Sequence, residues 1–203
     1  MIELIVKGGV VMYPIILCSV IAMAVFFERL WVLRRRRILP DNFIGSVENM
    51  IKKNKISDAL YLCQHDSSSI AKIFHAGLKN SGRGLWLVKE AIEERGGREG
   101  IILERNVGLL STIANLAPLL GLLGTVSGMI KTFNVISQGS GNPSLLAGGI
   151  AEALITTAAG LCVAIPSLVG YRILKDKAEA LIFEMEENSV RIIELMENST
   201  RQE

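Results

Sequence analysis

Between Asn106 and Tyr171 the chain carries only two formal charges, Lys131 and Glu152. Glu152 lies roughly two turns inside an apolar run long enough to be a helix. A carboxylate at membrane depth is costly enough that a functional role is its first reading. Two hydroxyls belong with it. Thr125 sits near the middle of the apolar segment Gly108–Ile130, and Thr157 near the middle of Ala153–Tyr171. If the two segments run antiparallel, the hydroxyls lie at similar depth, with Glu152 five residues further along. A hydroxyl both donates and accepts, so one carboxylate and two hydroxyls along a face can hold a chain of water. The chemistry this suggests is ion or proton passage rather than bond cleavage. The competing reading is structural, with a satisfied acid and threonines that bond the backbone.

Each apolar segment is long enough to cross a hydrocarbon core of about 30 Å, and Gly141-Asn142-Pro143 supplies a turn between them. The pair therefore reads as a transmembrane hairpin. Its composition is unusual for lipid-exposed helices, being rich in Gly, Ala, Ser and Thr. Pro118, Gly121 or Leu122, Thr125, Gly128 and Thr132 recur at steps of three or four on one side. On the returning helix Gly149, Glu152, Thr156, Gly160 and Val163 share a side, flanked by Ala153, Thr157 and Ala164. Small residues let backbones approach closely in lipid. Thr112 and Thr156 are expected to bond their own preceding carbonyls, Asn115 to make a helix-pairing contact, and Pro118 and Pro166 to interrupt the backbone ladder.

Residues 8–27 carry no charge, and the basic run Arg34, Arg35, Arg36 and Arg37 follows them. A secretory leader has the opposite order, so a retained first span is expected. Lys and Arg mark the cytoplasmic end of a span, which puts the N-terminus outside, the arginines inside and Arg172, Lys175 and Lys177 inside again. Lys131 dissents, placed where it could snorkel outward. The expected plan is a first span in 1–33, a cytoplasmic helical domain in 34–107, a second span in 108–131 and an outer loop in 132–146. A third span in 147–171 and a cytoplasmic C-terminal helix in 172–203 complete it. The linking domain shows helical spacing (Ile44, Val47, Met50, Ile51), a break and cap at Pro40-Asp41, a serine cap or turn at Ser67–Ser69, and Gly96-Gly97 as a point where the next helix loosens or is interrupted. In the tail, Leu174, Ala178, Leu181, Met185, Asn188, Ile192 and Leu195 are spaced 4-3-4-3-4-3. That stripe suits either helix association or packing on the chain's own cytoplasmic domain.

Half of the residues are hydrophobic and the net charge is +2, which points to a membrane protein and gives no sign of a nucleic-acid partner. Cys18, Cys63 and Cys162 share no ligand spacing, and His65 and His75 have no convincing metal partners. Gly121, Gly124 and Gly128 lie inside a span, where they serve packing rather than phosphate binding. No catalytic set, metal site or cofactor site is expected.

The segments IANLAPLLGLLGTVSGMIKTF (113–133) and LLAGGIAEALITTAAGLCVAIPSLVGY (145–171) resemble the signature of the MotA/TolQ/ExbB proton-channel family. Three spans and one large cytoplasmic loop resemble its ExbB/TolQ branch, since the flagellar branch typically has four spans and a longer chain. The resemblance implies an all-α bacterial inner-membrane protein with a periplasmic 132–146 loop, forming a homopentameric ring. The ring would enclose the single helices of ExbD- or TolR-like partners, each with a transmembrane aspartate. Proton flow would drive motion passed to a TonB- or TolA-type protein, for outer-membrane transport or envelope maintenance. By position Glu152 is similar to the family's acid, and Thr125 and Thr157 to its two pore-facing threonines. The alternative is a non-conducting scaffold that recruits partners through its cytoplasmic helices. A solute transporter is disfavoured for want of an inverted repeat.

Overall fold

The computed structural model describes residues 8–137 and 143–200, and these are helical with no strand. The helices are α1 (Met12–Val32), α2 (Arg35–Ile38), α3 (Asp41–Lys52), α4 (Ile56–His65), α5 (Ser69–Leu78), α6 (Leu85–Glu104), α7 (Val107–Ser137) and α8 (Pro143–Thr200), with a 3₁₀ turn at Ser81–Arg83. Gly141 and Asn142 of the expected turn, and Lys7, lie outside the described residues. Three helical stretches are long and apolar enough to cross a membrane: Met12–Val32, one within Leu85–Ser137 and one within Leu146–Asn198. The chain divides into two compact units, one taking residues up to Arg29 with Asn106–Ile173, the other Leu30–Arg105 with Leu174 onward.

In the first unit α7 buries Leu110, Ala114, Ala117, Gly121, Gly124, Gly128 and Thr132, a narrow stripe of mostly small residues. Its other faces are apolar and open, with Leu119, Leu122 and Phe133 each about three-fifths exposed. That combination suits a helix that meets lipid or another membrane helix rather than water. α7 and α8 pack through their glycines. A methyl group at Gly128 would strike the Gly149 carbonyl, one at Gly160 the Ala117 carbonyl, and one at Gly124 the Thr156 side chain. These pairings run in opposite directions along the two helices, so the hairpin is antiparallel. On α1, Phe26 covers Gly170 of α8, and the buried Arg29 takes both carboxylate oxygens of Glu28 at 2.9 Å.

The second unit has an aliphatic core with Phe43 and Phe74 stacked at 6.3 Å. Ser68 caps α5, accepting from the Ala71 N–H, as the serine cluster suggested. Asp41 does not cap α3; Pro40 occupies the cap position and the Asp41 carboxylate instead takes Arg35. Gly96 and Gly97 do not interrupt α6, and the pairs Arg95–Glu99 and Arg98–Glu94 span them. The break falls at Arg105-Asn106, where Asn106 adopts φ +62, a left-handed conformation asparagine tolerates better than most residues. Glu99 is fully buried; Arg95 bonds one oxygen at 2.7 Å and Lys72 stands 3.7 Å from the other, which has no hydrogen-bond partner.

α8 runs unbroken from Pro143 to Thr200, so residues 147–171 and 172–200 belong to one helix, and 201–203 lie outside the described residues. Pro166 lies within it without ending it. The tail stripe packs inside the second unit, where Ile182 approaches Gly100 and Glu184 takes Arg35 at 2.8 Å. The buried set is Leu174, Ala178, Leu181, Met185, Ser189, Ile192, Ile193 and Met196. The expected 4-3 alternation slips by one at Ser189, because a straight helix turns every 3.6 residues and drifts out of a heptad repeat by about 20° per heptad.

Candidate functional site

The hairpin fixes where each candidate side chain sits. Thr156 is fully buried and its hydroxyl donates to the Glu152 and Ala153 carbonyls, both at 3.0 Å. Thr112 likewise donates to Gly108. Thr157, one residue further, reaches across and donates to the Gly121 carbonyl at 3.3 Å. Thr125 donates within its own helix to Leu122 at 2.7 Å. It borders an open apolar hollow of about 560 Å³ lined by Val126, Met129, Ile130, Phe133, Ile150, Ala153 and Leu154. Both threonine oxygens keep lone pairs able to accept from water. Asn115 is exposed and donates to the Ser111 carbonyl on its own helix at 2.9 Å.

Glu152 points elsewhere. Its Oε1 takes the Lys131 ammonium at 2.5 Å, and 13% of its side chain stays accessible. Gly9, at φ +65, lies against the same carboxylate so closely that a methyl group there would overlap Oε1. Three stretches of the chain thus meet at this acid: the turn before α1, the end of α7 and the first turns of α8. The structure brings Thr157 to α7 and Glu152 to Lys131 and Gly9. It does not bond Thr125, Glu152 and Thr157 to one another. A carboxylate with a neighbouring ammonium can hand over its bond and accept a proton. The hydroxyls one to two turns away can orient water between main-chain oxygens and the acid.

Sequence reasoning missed the Lys131–Glu152 pair and the role of Gly9. The signal for the first was present: two lone opposite charges on the two arms of one apolar hairpin. Nothing in the sequence marked Gly9. Of the four arginines after α1, Arg35 bonds Asp41 and Glu184, which raises its pKa well above the ordinary value and holds the Asp41 carboxyl below its own. Arg37 lies over the Trp31 ring at 4.8 Å, while Arg34 and Arg36 are exposed.

Residues 65–187 match the MotA/TolQ/ExbB proton channel family. The chain belongs to that family. An ExbB-like biopolymer transport protein of Synechocystis sp. is 40% identical over 83% of this chain and 68% of its own length. The biopolymer transport protein ExbB of Salmonella typhimurium is 33% identical over 80% of this chain and 70% of its own. The Tol-Pal system protein TolQ of Haemophilus influenzae is 30% identical over 88% and 86%. Together with the three apolar stretches, membership makes the chain a multi-pass membrane protein. The family match covers α7 and the membrane-crossing part of α8, with Gly9 outside it.

Proposed function

We propose that this protein is the channel-ring subunit of a proton-driven motor in the bacterial inner membrane. The observation that carries the reading is Glu152 itself. It is the one carboxylate of a glycine-packed antiparallel hairpin, with Thr157 five residues along the same helix, in a chain of a proton channel family. In this reading the N-terminus faces outward and the C-terminus inward. Residues 34–107 and 172–203 form the cytoplasmic part, and five copies surround the single helices of ExbD- or TolR-like partners. Thr125, Thr157 and Glu152 line the lumen, and an aspartate on the partner completes the relay. The open apolar face of α7 supports association with other membrane helices. Likeness to both ExbB and TolQ relatives leaves two outlets, TonB-type transport and TolA-type envelope maintenance. Glu152→Ala and Thr157→Val should abolish energised work while the complex keeps its native mass; normal work by both would sink the roles.

A second reading has its own support. Thr125 and Thr157 both donate to main-chain oxygens, which a purely structural scaffold would also show. On that reading the same substitutions weaken assembly and leave no separate defect in proton flux.

A further inference from the structure

We propose that Lys131 is a specificity-determining residue: its ammonium fills the cation position on Glu152, so that the carboxylate accepts protons and refuses alkali-metal cations. This rests on the proton-path reading above, and deepens it.

The hairpin from Asn106 to Tyr171 holds one acid and one base. A lone carboxylate in an apolar surrounding is also the usual nucleus of a sodium site, because hard cations seek oxygen ligands. Here the position facing Oε1 is taken by Lys131 Nζ at 2.5 Å. On another side Gly9 lies against the carboxyl group, so that a methyl group added there would displace it. An arriving sodium ion must shed water, displace a tethered ammonium and find further oxygen ligands. Among the described residues no group of three or more His, Cys, Asp or Glu side chains could hold a metal ion, and Glu152 is the one carboxylate between Asn106 and Tyr171. Thr125 and Thr157 give their hydroxyl protons to the Leu122 and Gly121 carbonyls, and neither is bonded to Glu152, whose side-chain partner is Lys131.

A proton needs no coordination shell. It passes from a hydrated proton to the Glu152 carboxylate, forming an O–H bond and releasing water. The N–H···O contact to Lys131 breaks, and the ammonium keeps its charge. Lys131 has a flexible stem and leaves 53% of its side chain accessible, so it can swing to water while Glu152 is neutral and return when the proton leaves. Lysine suits this exchange because it is a point charge on a mobile chain.

The test is thermal unfolding of the purified full chain in lipid nanodiscs, in sodium chloride and in choline chloride at equal ionic strength. Wild type should melt at the same temperature in both. K131Q, and K131M as a second uncharged replacement, should be stabilised by sodium by about 3 °C or more. K131R should behave as wild type, and K131Q/E152Q should lose the sodium response. Sodium stabilisation of wild type, or its absence in both uncharged variants, would overturn the proposal. The readout involves no flux, so it stays distinct from the motor reading, which fails separately if E152Q conducts protons normally.

Discussion

Thr157 Oγ1 donates to the main-chain oxygen of Gly121 at 3.3 Å, a bond between the two antiparallel helices of the hairpin. Thr125 makes its bond within its own helix. The two threonines therefore differ in what they hold, although by sequence position they form a matched pair. Thr157→Val removes an interhelical bond and should lower stability by about 0.6 kcal/mol or somewhat more, whereas Thr125→Val should cost little. Both should lose energised work if both serve the proton path. Melting temperatures and a work assay on the same two variants check this; loss of work confined to Thr157→Val would favour the scaffold.

The glycine seam sets how closely the helices approach. Gly128→Ala places a methyl group 2.6 Å from the Gly149 carbonyl, where backbone must give way. Destabilisation of roughly 1–3 kcal/mol is expected, as for other overpacked sites. Gly108→Ala is the control, since nothing lies within 4 Å of its added methyl, and helix propensity there favours alanine. Thermal unfolding of both in one detergent gives the comparison; equal melting temperatures would mean the helices do not pack through residue 128.

Buried Glu99 has two cationic neighbours that both reach solvent, Arg95 and Lys72. Removing the acid frees two cations that water can solvate. Removing Arg95 leaves a buried carboxylate with only Lys72 at 3.7 Å. Arg95→Ala should therefore destabilise the second unit by about 2 kcal/mol or more, and Glu99→Gln by less. Urea titrations of the two variants would reveal the order, and the reverse order would contradict this account of the core.

Much of the membrane hairpin was legible in the sequence because lipid restricts the options. Long apolar stretches, small residues at helical spacing and one lone acid leave few arrangements. The intrahelical bonds of Thr112 and Thr156 followed from the same constraint. What was not legible depends on distances across the fold. Lys131 was read as placed where it could snorkel outward, and it reaches Glu152; two lone opposite charges on one hairpin hinted at the pair, but the register of the two helices sets their distance. Gly96-Gly97 looked like a break because glycine disfavours helix locally, but salt bridges and packing across α6 override a local cost of about 1 kcal/mol per glycine. The tail's 4-3 spacing left association with another helix and packing on the chain's own domain both open; its buried set slips at Ser189 as a straight helix drifts from a heptad repeat.

Cys63 sits in the core of the second unit, 2% exposed, and burial, with a smaller contribution from Asp66, pushes its thiol up to about 12. It should resist maleimide at pH 7.5 in the folded chain and react once the second unit is unfolded. Because the folded pKa lies above the ordinary 9.0, the neutral thiol contributes stability below pH 9 that is lost as pH rises toward 12. Cys63→Ala should flatten the fall in stability over that window. Mass spectrometry of labelled protein and melting curves across that alkaline range are the checks, and rapid labelling of Cys63 in folded protein would contradict its burial.

The central claim is that Glu152 carries protons. The most direct measurement is potassium-diffusion-driven proton uptake into liposomes containing the chain with the proposed single-span partner, for wild type and Glu152→Gln, each complex first weighed by native mass spectrometry. The account predicts equal masses and proton uptake reduced to the level of empty liposomes in Glu152→Gln. Uptake at the wild-type rate by a correctly assembled Glu152→Gln complex would contradict it.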